Sequence, residues 1–256
     1  MINSYDFPNP IVLGHRGASA YAPENTLASF QTAHDQGADG IELDAKLSKD
    51  GQVIVIHDNT YDRTTDASGV IGDKNLSEIK KLDAGSWFSD KYIGEGIPTL
   101  SEVLDEFGDK MIINIELANY GTPFDSLPKK VTELLKNHNS SKYRILFSSF
   151  MPTNVIKMSH LMPGAALALL THSNVYGILQ RSSMFRWISP EFIHPNKDGV
   201  DRQYILKQHK YKRRVHVWTV NLLEEIDDFI QANVDGIITD DPCLAKQIVI
   251  NNQNDR

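Results

Sequence analysis

Residues 41–44 read Ile-Glu-Leu-Asp, and residues 50–58 read Asp-Gly-Gln-Val-Ile-Val-Ile-His-Asp. Side chains alternate across a β-strand, so Glu42 and Asp44 are predicted to face the same side of one strand. The Asp-Gly pair that opens the second segment is a tight-turn signal, and the alternating residues after it predict a returning strand. That hairpin would place His57 diagonal to both acids. The sequence therefore predicts two carboxylates and an imidazole on one short hairpin.

Two acids that face a closed interior repel each other and lose hydration unless a cation lies between them. The hairpin is therefore interpreted as half of a metal-assisted acid–base site. The other half is predicted upstream, where a buried strand at residues 10–14 ends in His15-Arg16-Gly17. A His beside an Arg that can fork onto phosphate oxygens is typical of phosphoryl chemistry. Alone, His-Arg-Gly would be read as a surface loop; together with the hairpin it favours a functional site.

Strand-like apolar runs alternate with helical patterns along the chain, as in repeated βα units. We predict strands near residues 11–15, 39–44, 111–116, 144–149, 165–170, 187–190, 215–220 and 235–239. We predict helices near residues 25–36, 99–108, 125–138, 152–160, 174–184, 200–211, 222–232 and 241–250. Eight such pairs close an α/β fold of the (β/α)8 TIM-barrel type. Barrel enzymes place their chemistry at the carboxyl ends of the strands, so His15, Glu42, Asp44 and Glu116 should meet at one mouth.

Residues 59–98 interrupt this alternation and are rich in Gly, Asp, Ser and Thr, with one helix-like stretch at Ser77–Leu82. A connection of this length inside a barrel is typical of a lid or a small subdomain. Because it follows His57 directly, it is predicted to cover the mouth. We therefore predict one domain over residues 1–256, with an insertion at residues 59–98 after the second strand.

Length and composition describe an ordinary globular protein. The chain has 256 residues, close to the typical size of an eight-fold βα barrel. Its net charge of −7 argues against a nucleic-acid partner, which requires a basic face. The one basic run is interpreted as a solvated helix end that leads into a strand, and it comprises Lys210, Lys212, Arg213 and Arg214.

The cysteine content and the N-terminal residues bear on the cellular compartment. Cys243 is the only cysteine, so an internal disulfide is impossible. Asp6 and Pro8 occupy positions where a secretory signal would have its apolar core, and no apolar run reaches membrane-spanning length. We expect a cytoplasmic protein without stable membrane insertion.

Several segments together resemble the glycerophosphodiester phosphodiesterase family. They follow one another in the family's order from residue 11 to about residue 242, which makes the set specific although each segment alone is weak. The matching segments are His15-Arg16-Gly17-Ala18, Pro23-Glu24-Asn25-Thr26, Gly37 to Asp44, His57-Asp58, Asp62-Arg63-Thr64-Thr65, Ile97-Pro98-Thr99-Leu100, Asn114-Ile115-Glu116, Trp218-Thr219-Val220-Asn221 and Asp235 to Asp240. The resemblance implies a (β/α)8 barrel, a divalent cation, and cleavage of glycerophosphodiesters to sn-glycerol 3-phosphate and an alcohol.

One position departs from the pattern. The resemblance implies a Lys two residues after Glu116, but this chain has Ala118. A cation near the phosphate or metal site is thus missing from its expected place. This departure supports one alternative, a barrel that binds phosphodiesters without cleaving them.

The candidate site residues divide by their chemistry. Glu42, Asp44 and Glu116 offer an all-oxygen set suited to a hard divalent cation, Mg²⁺ or Ca²⁺. His15 and His57 are the predicted acid–base pair, by position and by resemblance, because two imidazoles near neutral pKa can deprotonate the attacking oxygen and protonate the leaving one. Either could be the base, and the attacker could be water or a substrate hydroxyl.

Four further residues are expected to contact or orient the substrate. Arg16 would bind non-bridging phosphate oxygens. Phe150 and Trp218 would offer flat faces to the glycerol carbons, with plain packing as the alternative. Glu24 would orient His15 or Arg16, or else act only as a first-turn acid at a helix dipole.

Of the remaining histidines, His172 and His194 could line the mouth because both follow predicted strands. The leading hypothesis is a metal-dependent glycerophosphodiester phosphodiesterase acting on a small-molecule substrate. The second hypothesis keeps the barrel but changes the substrate, to lysophospholipids in a phospholipase D-like reaction or to polyglycerol phosphate. Those substrates need a wide or apolar mouth. The oligomeric state is left open.

Overall fold

The computed structural model describes residues 7–138, 142–182, 185–189 and 191–254 and contains a closed barrel of eight parallel strands. The sheet comprises β1 Ile11–His15, β2 Gly40–Leu47, β3 Val53–Val55, β4 Ile112–Leu117, β5 Arg144–Ser149, β6 Ala166–Thr171, β7 Phe192–Pro195, β8 Arg214–Val217 and β9 Gly236–Thr239. The strand order is β1-β9-β8-β7-β6-β5-β4-β2, and pairing of β1 with β2 closes the ring. The ninth strand, β3, is antiparallel to β2. The predicted TIM-barrel fold is confirmed.

A helix follows each of the eight parallel strands, and the second connection carries an additional short one. The helices are α1 Leu27–Asp35, α2 Leu76–Ile79, α3 Leu100–Phe107, α4 Leu127–Asn137, α5 Pro152–Leu161, α6 Val175–Gln180, α7 Arg202–Lys210, α8 Leu223–Gln231 and α9 Pro242–Asn254. The start of α1 shows how the sequence sets such a boundary. The Thr26 hydroxyl accepts the Ser29 backbone N–H at 3.2 Å, a standard N-cap.

Each barrel strand has two faces with different neighbours. On β2, Ile41 and Leu43 point outward into the apolar layer under the helices, whereas Glu42 and Asp44 point into the barrel. Successive side chains of a strand point to opposite faces of the sheet, which produces this separation. Inside the barrel, apolar residues such as Leu13 and Ile112 fill the amino-terminal part, so the charged groups collect at the carboxyl ends.

The predicted hairpin is confirmed. β2 and β3 are antiparallel with Ala45 paired to Val55, and the Ile56 N–H donates to the Asp44 carbonyl at 2.9 Å. Continuing this register places His57 beside the middle of β2. Gly51 has φ 75° in the connecting turn, a conformation that glycine adopts at little cost.

The strand of the sixth predicted pair is wrong, whereas its helix is present as α7. Residues 187–189 form a turn, with Trp187 69% exposed, and the last residue of the predicted strand, 190, lies outside the described residues. The strand that closes this part of the barrel is β7, which pairs with β6 and β8. Both segments are short and apolar, and only the two neighbouring strands select the one that pairs. The predicted helix at 174–184 also ends early, with α6, and residues 183–184 lie outside the described part.

Residues 59–98 form an ordered layer with its own apolar cluster. Tyr61, Ile71 and Ile79 are buried there together with Ile54 of β3 and Ile97. The helix-like stretch predicted at Ser77–Leu82 is the shorter α2. A small insertion after the second strand is therefore present, and its role as a lid stays a prediction.

The prediction of a solvated basic run is wrong for Arg213, which is buried. Its guanidinium donates to Gln208 Oε1 and Ser189 Oγ, each at 3.2 Å. Burial lowers the pKa of Arg213 to about 10. Over the described ranges, none of the helices combines the length and apolar character needed to cross a bilayer.

Candidate active site

Three buried acids meet at the carboxyl end of the barrel. Glu42 and Asp44 lie on β2, and Glu116 is the register partner of Asp44 on β4. One oxygen from each of the three lies within 4.8 Å of the others. Burial, and then repulsion from Asp44, raises the pKa of Glu42 well above its usual value and that of Glu116 to about 8. The cluster predicted from sequence is thus assembled, and its three carboxyl groups would ionise together only with a cation among them.

Each acid is oriented by a separate hydrogen-bond donor. The Arg16 backbone N–H donates to Glu42 at 3.0 Å, and the Asn25 amide donates to Asp44 at 2.9 Å. The Tyr120 hydroxyl donates to Glu116 at 2.6 Å. Because Arg16 and Asn25 lie in the loop after β1 and Tyr120 lies in the loop after β4, the arrangement of the acids is a property of the folded barrel. The three buried carboxyl groups offer only oxygen ligands, which fit a hard divalent cation.

Arg16 and Asn25 reach these acids through unusual backbone conformations. Their φ angles are 56° and 58°, in the left-handed region that non-glycine residues seldom occupy. Such conformations concentrate at functional sites, where the surrounding structure compensates for their cost. Thr26, the next residue, caps α1, which leaves Asn25 to orient Asp44.

The side chain of Arg16 lies between acids. Its guanidinium donates to Glu24 at 2.7 Å and lies 3.4 Å from an Asp44 oxygen. It lines the cavity at the barrel mouth, where it could bind the oxygens of a phosphate. Glu24, predicted to orient His15 or Arg16, contacts Arg16.

His15 ends β1 and is held by a carboxylate that the sequence did not single out. Its Nδ1 lies 2.7 Å from Asp240 Oδ1, and Asp240 also accepts hydrogen bonds from Ser19 and Asn221. Although burial opposes it, the hydrogen bond from His15 and its companions lower the pKa of Asp240 to about 2. Asp240 is therefore a fixed anion that orients the imidazole, as carboxylates commonly do for functional histidines.

His57 has an equivalent partner in the next residue. Its Nδ1 lies 2.6 Å from Asp58 Oδ1, and Arg63 donates to both oxygens of Asp58. Hydrogen bonds from Arg63 and then from His57, opposed by burial, hold the pKa of Asp58 well below its usual range. Arg63 also donates twice to Glu24, at 2.7 and 2.8 Å. A continuous ionic chain thus links the hairpin to the loop after β1.

A cavity of about 370 Å³ joins these groups. Its lining is His15, Arg16, Glu42, Asp44, His57, Glu116, Tyr120, Phe150, Leu170, His172, Trp218 and Ile238. Phe150 stacks on His172 with ring centroids 4.2 Å apart and meets Trp218 edge-on at 5.4 Å. One wall is therefore charged and the opposite wall is aromatic. All the predicted site residues except Glu24 line this cavity, and Glu24 lies one contact behind Arg16. Their catalytic and binding roles stay predictions.

His194 does not line the mouth and that prediction is wrong. It lies within β7, fully buried, and stacks on His216 of β8 at 4.9 Å between ring centroids. Among the described residues neither ring nitrogen of either histidine has a hydrogen-bond partner. Burial first, and then the neighbouring charges, lower the pKa of His216 to about 3 and that of His194 well below its usual value. Both imidazoles are neutral parts of the barrel core.

Lys46 is a second residue near the site that the sequence patterns did not predict. It lies two residues after Asp44 on the same face of β2, and its ammonium donates to the Ala118 carbonyl and to Asn59 Oδ1. The expected absence of a cation near position 118 is thus wrong, because one reaches that place from the neighbouring strand. The only sequence signal was the inward register that Lys46 shares with Glu42 and Asp44.

Clustered acids and imidazoles at the carboxyl-terminal mouth of a barrel of eight parallel βα units are typical of a TIM-barrel enzyme. A model of the glycerophosphoryl diester phosphodiesterase family matches residues 15–244. The chain belongs to that family, and the resemblance noted in its sequence is confirmed.

Individual relatives align with this chain over most of their own length. A glycerophosphodiester phosphodiesterase from Caldanaerobacter subterraneus subsp. tengcongensis is 39% identical over 233 residues, which cover 91% of this chain and 94% of the relative. A glycerophosphodiester phosphodiesterase from Bacillus subtilis is 31% identical, covering 93% of this chain and 86% of its own. The predicted enzyme class is confirmed by these relatives.

A solved structure provides a comparison of the fold together with a ligand. A phosphodiesterase from Oleispira antarctica, in complex with the product sn-glycerol 3-phosphate, superposes with a TM-score of 0.85 and 30% sequence identity. The match covers 94% of this chain and 97% of the other.

Proposed function

We propose that this protein hydrolyses glycerophosphodiesters to sn-glycerol 3-phosphate and an alcohol, with a divalent cation and two histidines. The observation that carries the proposal is the placement of the three-acid cluster in one cavity with two carboxylate-paired imidazoles. The names of the relatives and the product bound to the Oleispira antarctica enzyme support the substrate class.

Glu42, Asp44 and Glu116 would hold the cation, Mg²⁺ or Ca²⁺. When bound, it would supply Lewis-acid polarisation of a phosphate oxygen. The protein's own residues would stabilise the remaining charge of the phosphate. Arg16 binds the remaining non-bridging oxygens, and its contact with Glu24 keeps the guanidinium directed into the cavity. Phe150 and Trp218 cover the glycerol carbons and exclude water from that wall.

His15 and His57 divide the proton transfers. One removes a proton from the attacking oxygen, which belongs to water or to the neighbouring glycerol hydroxyl, and the other delivers a proton to the departing alkoxide. Asp240 and Asp58 each accept a hydrogen bond from an Nδ1–H, which leaves Nε2 of each ring for the substrate. A diester with a nitrophenolate leaving group assigns the roles, because that group departs without protonation. Replacing the acid should slow it far less than replacing the base.

The decisive test is turnover of glycerophosphocholine with added Mg²⁺ or Ca²⁺. We expect release of sn-glycerol 3-phosphate, abolished by chelation and restored by the cation. Glu116→Gln should abolish it as well, whereas Glu133→Gln, on the exposed face of α4, should not. Absence of turnover for every glycerophosphodiester tried with either cation would overturn the proposal and favour a barrel that only binds the diester.

One observation favours a second candidate substrate, a lysophospholipid. Helix α6 follows β6 at the mouth and exposes most of its apolar side chains, which are Val175, Tyr176, Ile178 and Leu179. The helix is tied to the aromatic wall, because Gln180 donates to the Phe150 carbonyl at 3.3 Å. An acyl chain leaving the cavity on that side would meet an apolar surface.

A rate comparison separates the candidate substrates. The rates of wild type and of Ile178→Ser would be measured with three substrates: glycerophosphocholine, lysophosphatidylcholine and a glycerol-phosphate oligomer. A lysolipid enzyme would prefer the lysolipid and lose that preference in Ile178→Ser. If Ile178→Ser changes none of the three rates, α6 has no part in substrate selection.

The partner that we propose is thus a small glycerophosphodiester. A cytoplasmic location and the absence of a nucleic-acid partner stay predictions of the sequence.

A further inference from the structure

Lys46 is buried beside Tyr120, just outside the lining of the active-site cavity, and does not touch an acid. It is 4% exposed, and its ammonium bonds to two neutral oxygens, the Ala118 carbonyl and, at 3.2 Å, Asn59 Oδ1. Throughout the described ranges no carboxylate oxygen forms an ion pair with it. A buried ammonium is costly to desolvate, so its retention requires a favourable field. Burial lowers the pKa of Lys46, and attraction to Asp44 and then to Glu116 opposes that shift.

The other cations that the structure describes near the cavity also serve acids outside the cluster, although Arg16 lies 3.4 Å from Asp44 as well. Arg16 contacts Glu24, and Arg63 is shared between Glu24 and Asp58. Three clustered acids together with a divalent cation retain a charge of −1, and Arg16 must also serve Glu24. Among the described residues, the charge of Lys46 therefore adds to that of Arg16 in making the site complementary to an anionic phosphodiester.

Strand register explains how Lys46 reaches this position. Ala45 pairs with Leu117 across β2 and β4, so the next step places Lys46 beside Ala118 on the inward face. The ammonium also lies 5.9 Å from the centre of the Tyr120 ring, and the hydroxyl of that ring donates to Glu116. Lys46 thus packs against the residue that orients one acid. The small side chain of Ala118 leaves this space to the lysine.

We propose that Lys46 is a positioning residue of the phosphodiester site, whose buried charge, delivered from β2 beside Ala118, offsets the acid cluster and favours the anionic substrate and product. This inference rests on the proposed function. A charge in this place has two opposite effects: it attracts the phosphate and it repels the cation that the acids would hold. Loss of packing alone would weaken both kinds of binding.

The test compares Lys46→Met, which keeps an unbranched side chain but removes the charge, with the matched control Lys49→Met on the same hairpin, where the lysine is exposed. Calorimetry would measure the Kd of Ca²⁺ and the Kd of sn-glycerol 3-phosphate, alongside kcat/KM for glycerophosphocholine. In Lys46→Met we expect tighter Ca²⁺ binding, weaker product binding, and a loss in kcat/KM of roughly ten- to a hundredfold. Lys49→Met should match wild type.

A relocated charge provides the second readout. The double variant Lys46→Met/Ala118→Lys moves the ammonium to the adjacent strand at the same level, and it should restore kcat/KM and product binding toward wild type. It cannot restore the hydrogen bonds of Lys46. Failure of this rescue, or weaker binding of both Ca²⁺ and product in Lys46→Met, would overturn the inference in favour of a packing role. If wild type itself turns over no diester, the proposed function fails instead.

Discussion

Two pairs of histidines in this barrel occupy opposite environments. His15 and His57 stand at the mouth, each 2.6–2.7 Å from a carboxylate oxygen. His194 and His216 lie deeper, stacked on each other with no hydrogen-bond partner among the described residues. The first pair is the one that we propose for proton transfer, whereas burial keeps the second pair neutral. The same side chain is therefore a candidate catalyst or a core residue according to its depth in the barrel.

Depth in the barrel determines the environment of a histidine, because loop residues contact the inward side chains of a strand only at its ends. His15 is the last residue of β1, and its partner Asp240 follows the last residue of β9. His194 and His216 are interior residues of β7 and β8, surrounded by other strands. Loops can supply anions to the first position, but the barrel interior supplies mainly apolar atoms.

The largest expected effect distinguishes the two pairs by activity. His57→Gln should lower kcat by roughly 10²- to 10⁴-fold, because it removes one of the two proton-transfer groups. His216→Gln should retain kcat per folded molecule. Steady-state kinetics with glycerophosphocholine would measure both, with His34→Gln on exposed α1 as control. Full activity in His57→Gln would remove the distinction between the pairs.

A smaller effect tests the carboxylate partner. Asp240→Asn removes the anion that orients His15, and we expect kcat to fall by about ten- to a hundredfold, the usual cost of losing a partner that orients a functional histidine. The adjacent Asp241→Asn is the matched control, because Asp241 contacts Tyr21 rather than His15. Equal rates for the two variants would show that the Asp240 contact is only structural.

The smallest effect concerns stability against acid. The pKa of His216 is about 3 in the folded protein against a usual value of 6.5, so the folded state binds fewer protons than the unfolded one. The stabilisation is complete above pH 6.5 and is lost as the pH falls toward the folded value. Between pH 7 and pH 5.5 this group should remove about 1 kcal/mol from the free energy of unfolding.

Urea unfolding at several pH values would measure this loss. His216→Gln should show a shallower pH dependence than wild type, whereas His34→Gln should show the same slope as wild type. An unchanged slope in His216→Gln would indicate that His216 is hydrated and that its pKa is not lowered by burial.

Local pattern predicted most of the site. The alternation in Glu42-Leu43-Asp44 and the turn before Val53 required only neighbouring residues, and both were confirmed by the strand register. The pattern failed where partners are distant. Asp240 lies 225 residues from His15, and the contact between Lys46 and Ala118 depends on which strand neighbours β2. No local periodicity carries that information.

The sequence by itself determined the βα alternation, the two acids on one face of β2 and the family to which the chain belongs, because side-chain period and motif order are properties of the chain. Only the tertiary structure decided which histidines have anionic partners, which short apolar segment completes the barrel at β7, and which strand brings a cation to position 118. These choices depend on closure of the ring, which brings together residues from strands far apart in sequence.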